Sequence, residues 1–207
     1  MGLRILWFRR DLRLTDHPAL AEAARGGDEV LGLFVRDPQL IDRAGPRAER
    51  LTASLAALNA EMNGALVVRT GSPADVVPGL AREFGARSVH ISTETTPFGR
   101  RRDGHVAARL RESDSELVAT GSPYAVTPGH VRNNSGAGYR VFTPFLRAWR
   151  QHGWPDPAGP TSVRWLSGVD SDSLPNADRS QAGERAATAR WEDFLDRQIN
   201  GYANARD

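Results

Sequence analysis

Strands and helices alternate over the first 120 residues of the chain, and no other feature of the sequence constrains the fold as strongly. Short apolar runs with strand propensity recur at residues 3–8, 29–35, 65–71, 88–92 and 116–120. Each of the first four is followed by helical capping signals or by an apolar stripe at helical spacing. Parallel strands need such helical crossovers. The pattern predicts an α/β fold, a doubly wound, five-stranded parallel sheet flanked by helices.

Capping residues and apolar spacing predict where the helices lie. The first helix is expected to begin near Asp16, and the third is expected to be capped by Ser72. The arginine-rich residues 99–103 are assigned to a long loop, with the next helix beginning at His105. Residues 47–62 should form the second helix, with an apolar stripe that we interpret as core: Leu51, Leu55, Leu58 and Met62.

The alternation stops after residue 120. Residues 121–140 are crowded with Gly, Pro, Asn and Ser, which favours a long ordered loop or a hairpin, and Thr143-Pro144 is expected to cap a further helix. We therefore predict an α/β domain over residues 1–150. Residues 151–182 have the composition of an interdomain linker, and residues 183–207 form an amphipathic helix that must bury its apolar face against something.

Composition and missing motifs exclude several classes of protein. The 207 residues include no cysteine, which excludes disulfides and thiolate chemistry, and no apolar run approaches the roughly 18 residues of a membrane span. We expect a cytoplasmic protein. No glycine-rich dinucleotide or phosphate-loop motif is present, and the five histidines lack metal-ligand spacing, so no metal site is predicted. All 27 basic residues are arginines balanced by 25 acids, which is weak evidence for nucleic-acid binding.

Three loops carry the best candidates for a functional site. They are residues 9–13, 34–38 and 94–102, which follow the first, second and fourth strands, and Arg47 starts the helix after the second loop. In a parallel sheet these loops lie at the carboxyl edge, where ligands usually bind. Aromatic and mixed-charge walls suit a flat, polar, anionic ring system. Solvated loops with structural ion pairs, or phosphate contacts from the arginines, remain as alternatives.

Four segments resemble the N-terminal half of the photolyase and cryptochrome flavoproteins. They are WFRRDLRLTDHPAL at residues 7–20, RAERLTASLAALN at 47–59, TPFGRRRDGHV at 96–106 and YRVFTPFLRAWR at 139–150. The resemblance implies an N-terminal Rossmann-like domain that carries a light-harvesting antenna chromophore, and a helical domain that binds FAD and damaged DNA. It also implies that the parent protein is a lyase performing light-driven repair of cyclobutane pyrimidine dimers. Arg9, Arg10 and Asp11 would be mainly structural.

The resemblance also implies a chromophore pocket. Folate-binding members tend to have Asn-Glu where this chain has Thr95-Thr96, and PFGRRRD resembles the deazaflavin type, so 8-hydroxy-5-deazaflavin is favoured over methenyltetrahydrofolate. Thr96 stands where a glutamate is common in that type, which removes one polar contact. Arg47 and Arg102 would offer charge-assisted hydrogen bonds. The pocket would be lined by Phe34, Val35, Asp37, Pro38, Arg47, Leu51, Glu94, Phe98 and Arg102.

Residues 183–207 are similar to the first helix of the family's FAD-binding domain. Tyr202 matches a tyrosine that reaches the FAD phosphates. Asp207 precedes the family's flavin-binding Thr-Ser-x-Leu-Ser segment and its electron-relay tryptophans, so we expect no catalytic residue in this chain and no FAD retention or DNA repair by it alone. A cryptochrome-type photoreceptor domain, a stand-alone α/β nucleotide-binding module and an arginine-rich nucleic-acid accessory protein are the alternatives.

Overall fold

A parallel sheet of five strands forms the centre of the molecule. In the computed structural model, which describes residues 2–40 and 45–202, its strands run in the order β3-β2-β1-β4-β5. The strands are β1 (Leu3–Phe8), β2 (Glu29–Arg36), β3 (Leu66–Thr70), β4 (Ser88–Ile91) and β5 (Glu116–Ala119). The helices are α1 (Pro18–Ala23), α2 (Pro46–Glu61), α3 (Pro73–Glu83), α4 (Pro97–Arg111), α5 (Phe142–His152) and α6 (Gly183–Asp193). The predicted α/β class and parallel sheet are confirmed.

Two apolar layers cover the two faces of the sheet. Ile5, Trp7 and Leu33 belong to the layer that also contains side chains of α3 and α4. Leu6, Phe8 and Val30 belong to the opposite layer, with α1 and α2. From the predicted stripe of α2, Leu55, Leu58 and Met62 are each 1% exposed, and Leu51 packs against them half-buried. Since a fully buried leucine contributes about 1.5–3 kcal/mol, this stripe is a core element, as predicted.

The structure corrects the predicted start of α1. Asp16 has a positive φ of 46°, and its carboxylate accepts a hydrogen bond from the Ala158 amide at 2.7 Å, so it belongs to the turn. His17 is the N-cap instead, because its Nδ1 accepts from the Leu20 amide at 3.2 Å. The sequence signals misplaced the cap because a histidine rarely fills it.

A second correction concerns α4, which begins at Pro97 and not at His105. Thr96 is its N-cap, with Oγ1 accepting from the Gly99 amide at 3.1 Å, and Pro97 occupies the first turn. The arginine-rich segment is therefore helical. Phe98 and Arg102 occupy the first two turns of a helix and not a loop.

Two other predicted caps make no side-chain hydrogen bond. Ser72 occupies the N-cap position of α3, but its hydroxyl accepts nothing from that helix. α5 begins at Phe142, with Val141 as N-cap, so Thr143 lies inside the first turn and does not cap it.

The chain after α5 returns to the α/β body. A short strand β6 (Arg164–Trp165) pairs in parallel with β2, and the Trp165 ring lies 6.4 Å from the Phe8 ring. The Glu184 carboxylate accepts hydrogen bonds from the amides of Leu14 at 2.8 Å and Thr15 at 3.2 Å. Residues of the predicted linker and of the segment 183–207 are thus both in contact with the body, and the division into domains stays a prediction.

Some predictions fall on residues 41–44 and 203–207. The end of the loop after β2 and the end of the C-terminal helix lie there, outside the described residues. Within residues 2–40 and 45–202, none of the helices combines the length and apolar character that a bilayer crossing requires.

Candidate functional site

The strand order places a crevice at the carboxyl edge of the sheet. From β1 the chain runs outward through β2 to β3, and it then returns to add β4 on the other side of β1. Ligands in open parallel sheets bind where the strand order reverses in this way. The loops after β1 and β4 and the first turns of α4 meet at this position.

Arg9 is the centre of a buried ion-pair cluster in the crevice. Its Nη1 lies 2.7 Å from both carboxylate oxygens of Asp103 on α4, and its Nη2 donates to the carbonyl oxygen of Ser92. Burial lowers the pKa of Arg9, and the Asp103 carboxylate opposes that lowering. A charge this deeply buried is tolerated only when it is paired, so Arg9 is a structural residue, as the resemblance implied.

Asp11 and His17 extend this cluster toward α1. Ser92 Oγ donates to the Asp11 carboxylate, which lies 3.6 Å from His17 Nε2. Because His17 Nδ1 accepts from an amide, the neutral ring carries its proton on Nε2, which faces Asp11. Burial lowers the pKa of His17, and Asp11 works in the opposite direction. His17 is therefore uncharged at neutral pH.

Trp7 lies beneath the ion pairs. The guanidinium carbons of Arg9 and Arg102 are 5.1 Å and 5.0 Å from the centroid of its ring, within the range of cation–π attraction. Arg102 also donates to Asp103 from Nε at 3.0 Å and from Nη2 at 2.9 Å. Asp103 therefore bridges the two arginines over a tryptophan that is 3% exposed.

A cavity of about 360 Å³ opens beside this cluster, between the end of β2 and the first turns of α3 and α4. Its volume falls within the usual range of small-molecule sites, about 300–1,000 Å³. The Phe98 ring is 36% exposed there, and Arg101 and His105 are exposed. The cavity is lined by Asp37, Gln39, Ser72, Pro73, Ala74, Phe98, Arg101, Arg102 and His105.

Glu94 shapes the turn that leads into α4. Its Oε1 accepts from the amides of Thr95 at 2.8 Å and Thr96 at 2.9 Å, and its side chain packs against Gly99. Burial by itself would raise the pKa of Glu94, but the amide donors of Thr96 and Thr95 outweigh it and the net shift is downward. A side chain at position 99 would collide with Glu94, so this glycine permits the close approach.

The structure brings only some of the predicted site residues together. Asp37, Phe98 and Arg102 line the cavity, and Pro38 is exposed next to Asp37. The remaining predicted residues lie elsewhere, and their contact with a chromophore stays a prediction. Phe34 and Val35 are buried on opposite faces of β2, Leu51 packs in the core, Glu94 holds a turn, Arg47 is exposed at the start of α2, and Tyr202 contacts the Phe194 ring near the C-terminus.

The predicted pocket residues omitted His105 and also Arg101, which lies in the candidate loop 94–102, although a signal for both exists. With α4 starting at Pro97, positions 98, 101, 102 and 105 follow the i, i+3, i+4, i+7 spacing of one helix face. The error in the helix start hid that face. Gln39 and Ser72 could not be found in the same way, because only the folded chain brings their loops beside α4.

The donors around the cavity suit a planar organic group better than a metal ion. An exposed aromatic ring offers a stacking surface, and arginine groups donate to anionic oxygens. Over the described ranges, no group of three or more histidine, aspartate and glutamate side chains could hold a metal ion. The cavity therefore fits a flat ring system with polar or negatively charged substituents.

Comparisons with known proteins agree with this architecture. The sequence model of the DNA photolyase family matches residues 4–161. A deoxyribodipyrimidine photo-lyase from Streptomyces griseus is 35% identical over 225 residues, which cover all of this chain and 49% of the relative. The chain spans about half the length of the curated relatives it matches, and it corresponds to their N-terminal part.

Solved structures show the same fold. A bacterial class III photolyase from Agrobacterium tumefaciens matches with a TM-score of 0.83 and 28% identity, over all of this chain and 47% of that one. An archaeal photolyase from Sulfolobus tokodaii, whose structure holds two FAD molecules, matches with a TM-score of 0.68 and 25% identity, over 79% of this chain and 38% of that one. Together with the family model, which matches most of the sequence, these results show that the chain belongs to the DNA photolyase family.

Proposed function

We propose that the cavity between β2, α3 and α4 holds a light-harvesting chromophore, and that this chromophore is 8-hydroxy-5-deazaflavin. The observation that carries the proposal is the face of α4 turned to the cavity, where Phe98, Arg101 and Arg102 stand together. When bound, the chromophore would absorb light and pass the energy to a flavin. Methenyltetrahydrofolate is the alternative ligand.

The side chains of the cavity have distinct parts in this proposal. The exposed ring of Phe98 would pack on the face of the chromophore. Arg102 uses Nε and Nη2 to bind Asp103, which leaves Nη1 for a ligand oxygen. Arg101 forms no ion pair within the described part of the chain, so its whole guanidinium group is available. The Asp37 carboxylate accepts from the Gln39 amide at 2.9 Å and can also accept from a ring N–H.

A relative supports the choice of a three-ring chromophore. The Sulfolobus tokodaii structure is described as implying a novel light-harvesting cofactor and contains two FAD molecules. A deazaflavin has the same three-ring outline as the flavin of FAD, and the cavity volume suits a group of that size.

Titration of the purified chain, followed by visible absorbance and fluorescence, tests the proposal. The deazaflavin should bind more tightly than methenyltetrahydrofolate. Arg101→Ala should weaken binding by a factor of about 10 to 100, because one charge-assisted hydrogen bond contributes roughly 1.5–3 kcal/mol. Arg100→Ala is the matched control, since Arg100 is exposed on the same turn but does not line the cavity. Tighter folate binding, or equal losses for both variants, would overturn the assignment.

The proposal extends to the organisation of the longer relatives. Residues 1–150 would be the antenna domain, residues 151–182 a linker and residues 183–207 the start of an FAD-binding domain, in which Tyr202 reaches the FAD phosphates. Damaged DNA would be the partner of that second domain, which would carry out the light-driven repair. Irradiation of thymine-dimer DNA with residues 1–207, FAD and reductant should give no repair above a flavin-only control. Light-dependent repair by this chain would refute the assignment of repair to the FAD-binding domain.

A further inference from the structure

Trp7 lies one side chain away from the proposed chromophore cavity. Arg102 lines the cavity on one side and approaches the Trp7 ring to 5.0 Å on another. Trp7 is 3% exposed, so water cannot separate it from its neighbours. The proposed antenna therefore has an indole, one of the most easily oxidised groups in proteins, beside its wall.

An indole at this position could quench the excited chromophore by electron transfer. Trp7 would give one electron to the excited ring system and become an indole radical cation, and the return of that electron would restore both groups. No bond is formed or broken in this cycle. The photon energy would appear as heat, and the chromophore would have nothing to pass on.

The charges around Trp7 oppose that electron transfer. Arg9 and Arg102 place two guanidinium groups within 5.1 Å of the ring, and a radical cation formed between them would be repelled by both. Asp103 binds both arginines and acts in the opposite sense, so Arg9, Arg102 and Asp103 together carry one positive charge next to the ring. The side chains of Arg9 and Asp103 are only 8% and 13% exposed, so solvent ions screen them weakly.

We propose that the arginine pair Arg9 and Arg102 raises the oxidation potential of Trp7 and so protects the excited chromophore from quenching. The light-harvesting consequence rests on the proposed function, whereas the effect on Trp7 does not. Arg9 lies outside the cavity and acts on the chromophore only through Trp7, whereas Arg102 also lines the cavity. Arg10 and Glu94 have their charged atoms 3.9 Å apart and together add no net charge. Asp11, on the α1 side of the cluster, accepts from Ser92 Oγ and acts in the same sense as Asp103.

The first experiment needs no chromophore. In a chain whose other tryptophans and whose three tyrosines are replaced by Phe, voltammetry reports the oxidation potential of Trp7 alone. The replaced residues are Trp149, Trp154, Trp165, Trp191, Tyr124, Tyr139 and Tyr202. Arg9→Met should lower that potential, and Arg9→Lys should leave it close to the parent value because the charge is kept. Asp103→Asn should raise it, and its amide oxygen can still accept from both arginines. If Arg9→Met fails to fold, Asp103→Asn decides the question with the opposite sign.

The second experiment measures the fluorescence lifetime of bound deazaflavin. Arg9→Met should shorten the lifetime about twofold or more, because the loss of a unit charge near 5 Å makes electron transfer more favourable. Adding Trp7→Phe to Arg9→Met should restore it. An unchanged Trp7 potential, or a short lifetime that persists without Trp7, would overturn the inference. If no deazaflavin binds, the proposed function fails, and the potentials still decide the role of the arginine pair.

Discussion

Two sides of the same crevice differ in how their polar groups are used. On the β1–β4 side, the side chains of Arg9, Asp103 and Asp11 are only 8%, 13% and 7% exposed, and each is bonded or paired within the protein. On the cavity side, Phe98 and Arg101 are exposed, and no residue within 2–40 and 45–202 forms an ion pair or a ring contact with them. Both sides draw on α4, which contributes Asp103 to one and Arg101 to the other.

The difference separates stability from binding within one helix. A buried charge must be satisfied inside the protein, because its desolvation costs several kcal/mol. A charge at a solvated cavity wall costs little in the absence of ligand and remains available to one. Substitutions on the β1–β4 side should therefore change folding, and substitutions on the cavity side should change binding.

The largest effect is expected for Asp103→Ala. It removes the carboxylate shared by Arg9 and Arg102 and leaves a buried guanidinium unpaired, which should lower the free energy of unfolding by about 3–5 kcal/mol. Urea unfolding followed by circular dichroism measures the loss. Arg100→Ala on the same helix should cost less than about 0.5 kcal/mol. A loss below about 1 kcal/mol for Asp103→Ala would mean that the ion pairs of the β1–β4 side do not stabilise the fold.

Phe98→Ala is expected to show the reverse behaviour. Removing the exposed ring should weaken deazaflavin binding about tenfold, while the free energy of unfolding changes by less than about 1 kcal/mol. The matched control is Phe142→Ala, an exposed phenylalanine of α5 that lies outside the cavity. Equal binding by the two variants would contradict the assignment of the cavity side.

Acid should destabilise the β1–β4 side through the buried His17. The pKa of buried His17 lies below its ordinary value of 6.5, so the unfolded chain binds a proton first as the pH falls. Stability from this residue is present above pH 6.5 and is lost progressively below it. His17→Asn keeps a good N-cap and removes the titration, so this variant should lose less stability between pH 7 and pH 5. His105→Asn, on the cavity side, should follow the parent protein; a smaller loss here too would contradict the distinction.

The smallest effect is expected for Arg47→Ala. Arg47 is exposed at the start of α2, so the free energy of unfolding should change by less than about 0.5 kcal/mol. Binding of deazaflavin should weaken, but less than for Phe98→Ala, because Arg47 does not line the cavity with Phe98. The absorbance titration compares the two variants directly. An unfolded Arg47→Ala variant would identify Arg47 as a structural ion-pair partner.

Local patterns were enough to predict most of the fold. The sheet strands and the buried stripe of α2 follow from spacing and apolar character, which are properties of short segments. The start of α4 was missed because its charged residues resemble a loop, although Thr96 and Pro97 together form a good helix start. Misplacing that start by eight residues removed a helix face from view.

The candidate site was less predictable because its contacts join distant parts of the chain. Arg9 and Asp103 are 94 residues apart, and nothing in either local segment specifies the other as partner. Motif resemblance named Phe98, Arg102 and Asp37, which the structure does place around one cavity. It also named Phe34 and Leu51, whose side chains pack in the hydrophobic core. A residue type near a sheet edge does not reveal which face its side chain occupies.

The hydrogen bonds of Glu184 give the chain a mechanical property. Its carboxylate holds the amides of Leu14 and Thr15 and the Thr15 hydroxyl, across 169 to 170 residues of sequence. Closing so long a loop costs little more entropy than closing a loop of half its length. Because Glu184 holds the loop after β1, a force applied to α6 would also act on that loop, which contains Arg9 and Asp11. A displacement of α6 would thus be transmitted through Glu184 to the loop that leads from β1 into the crevice.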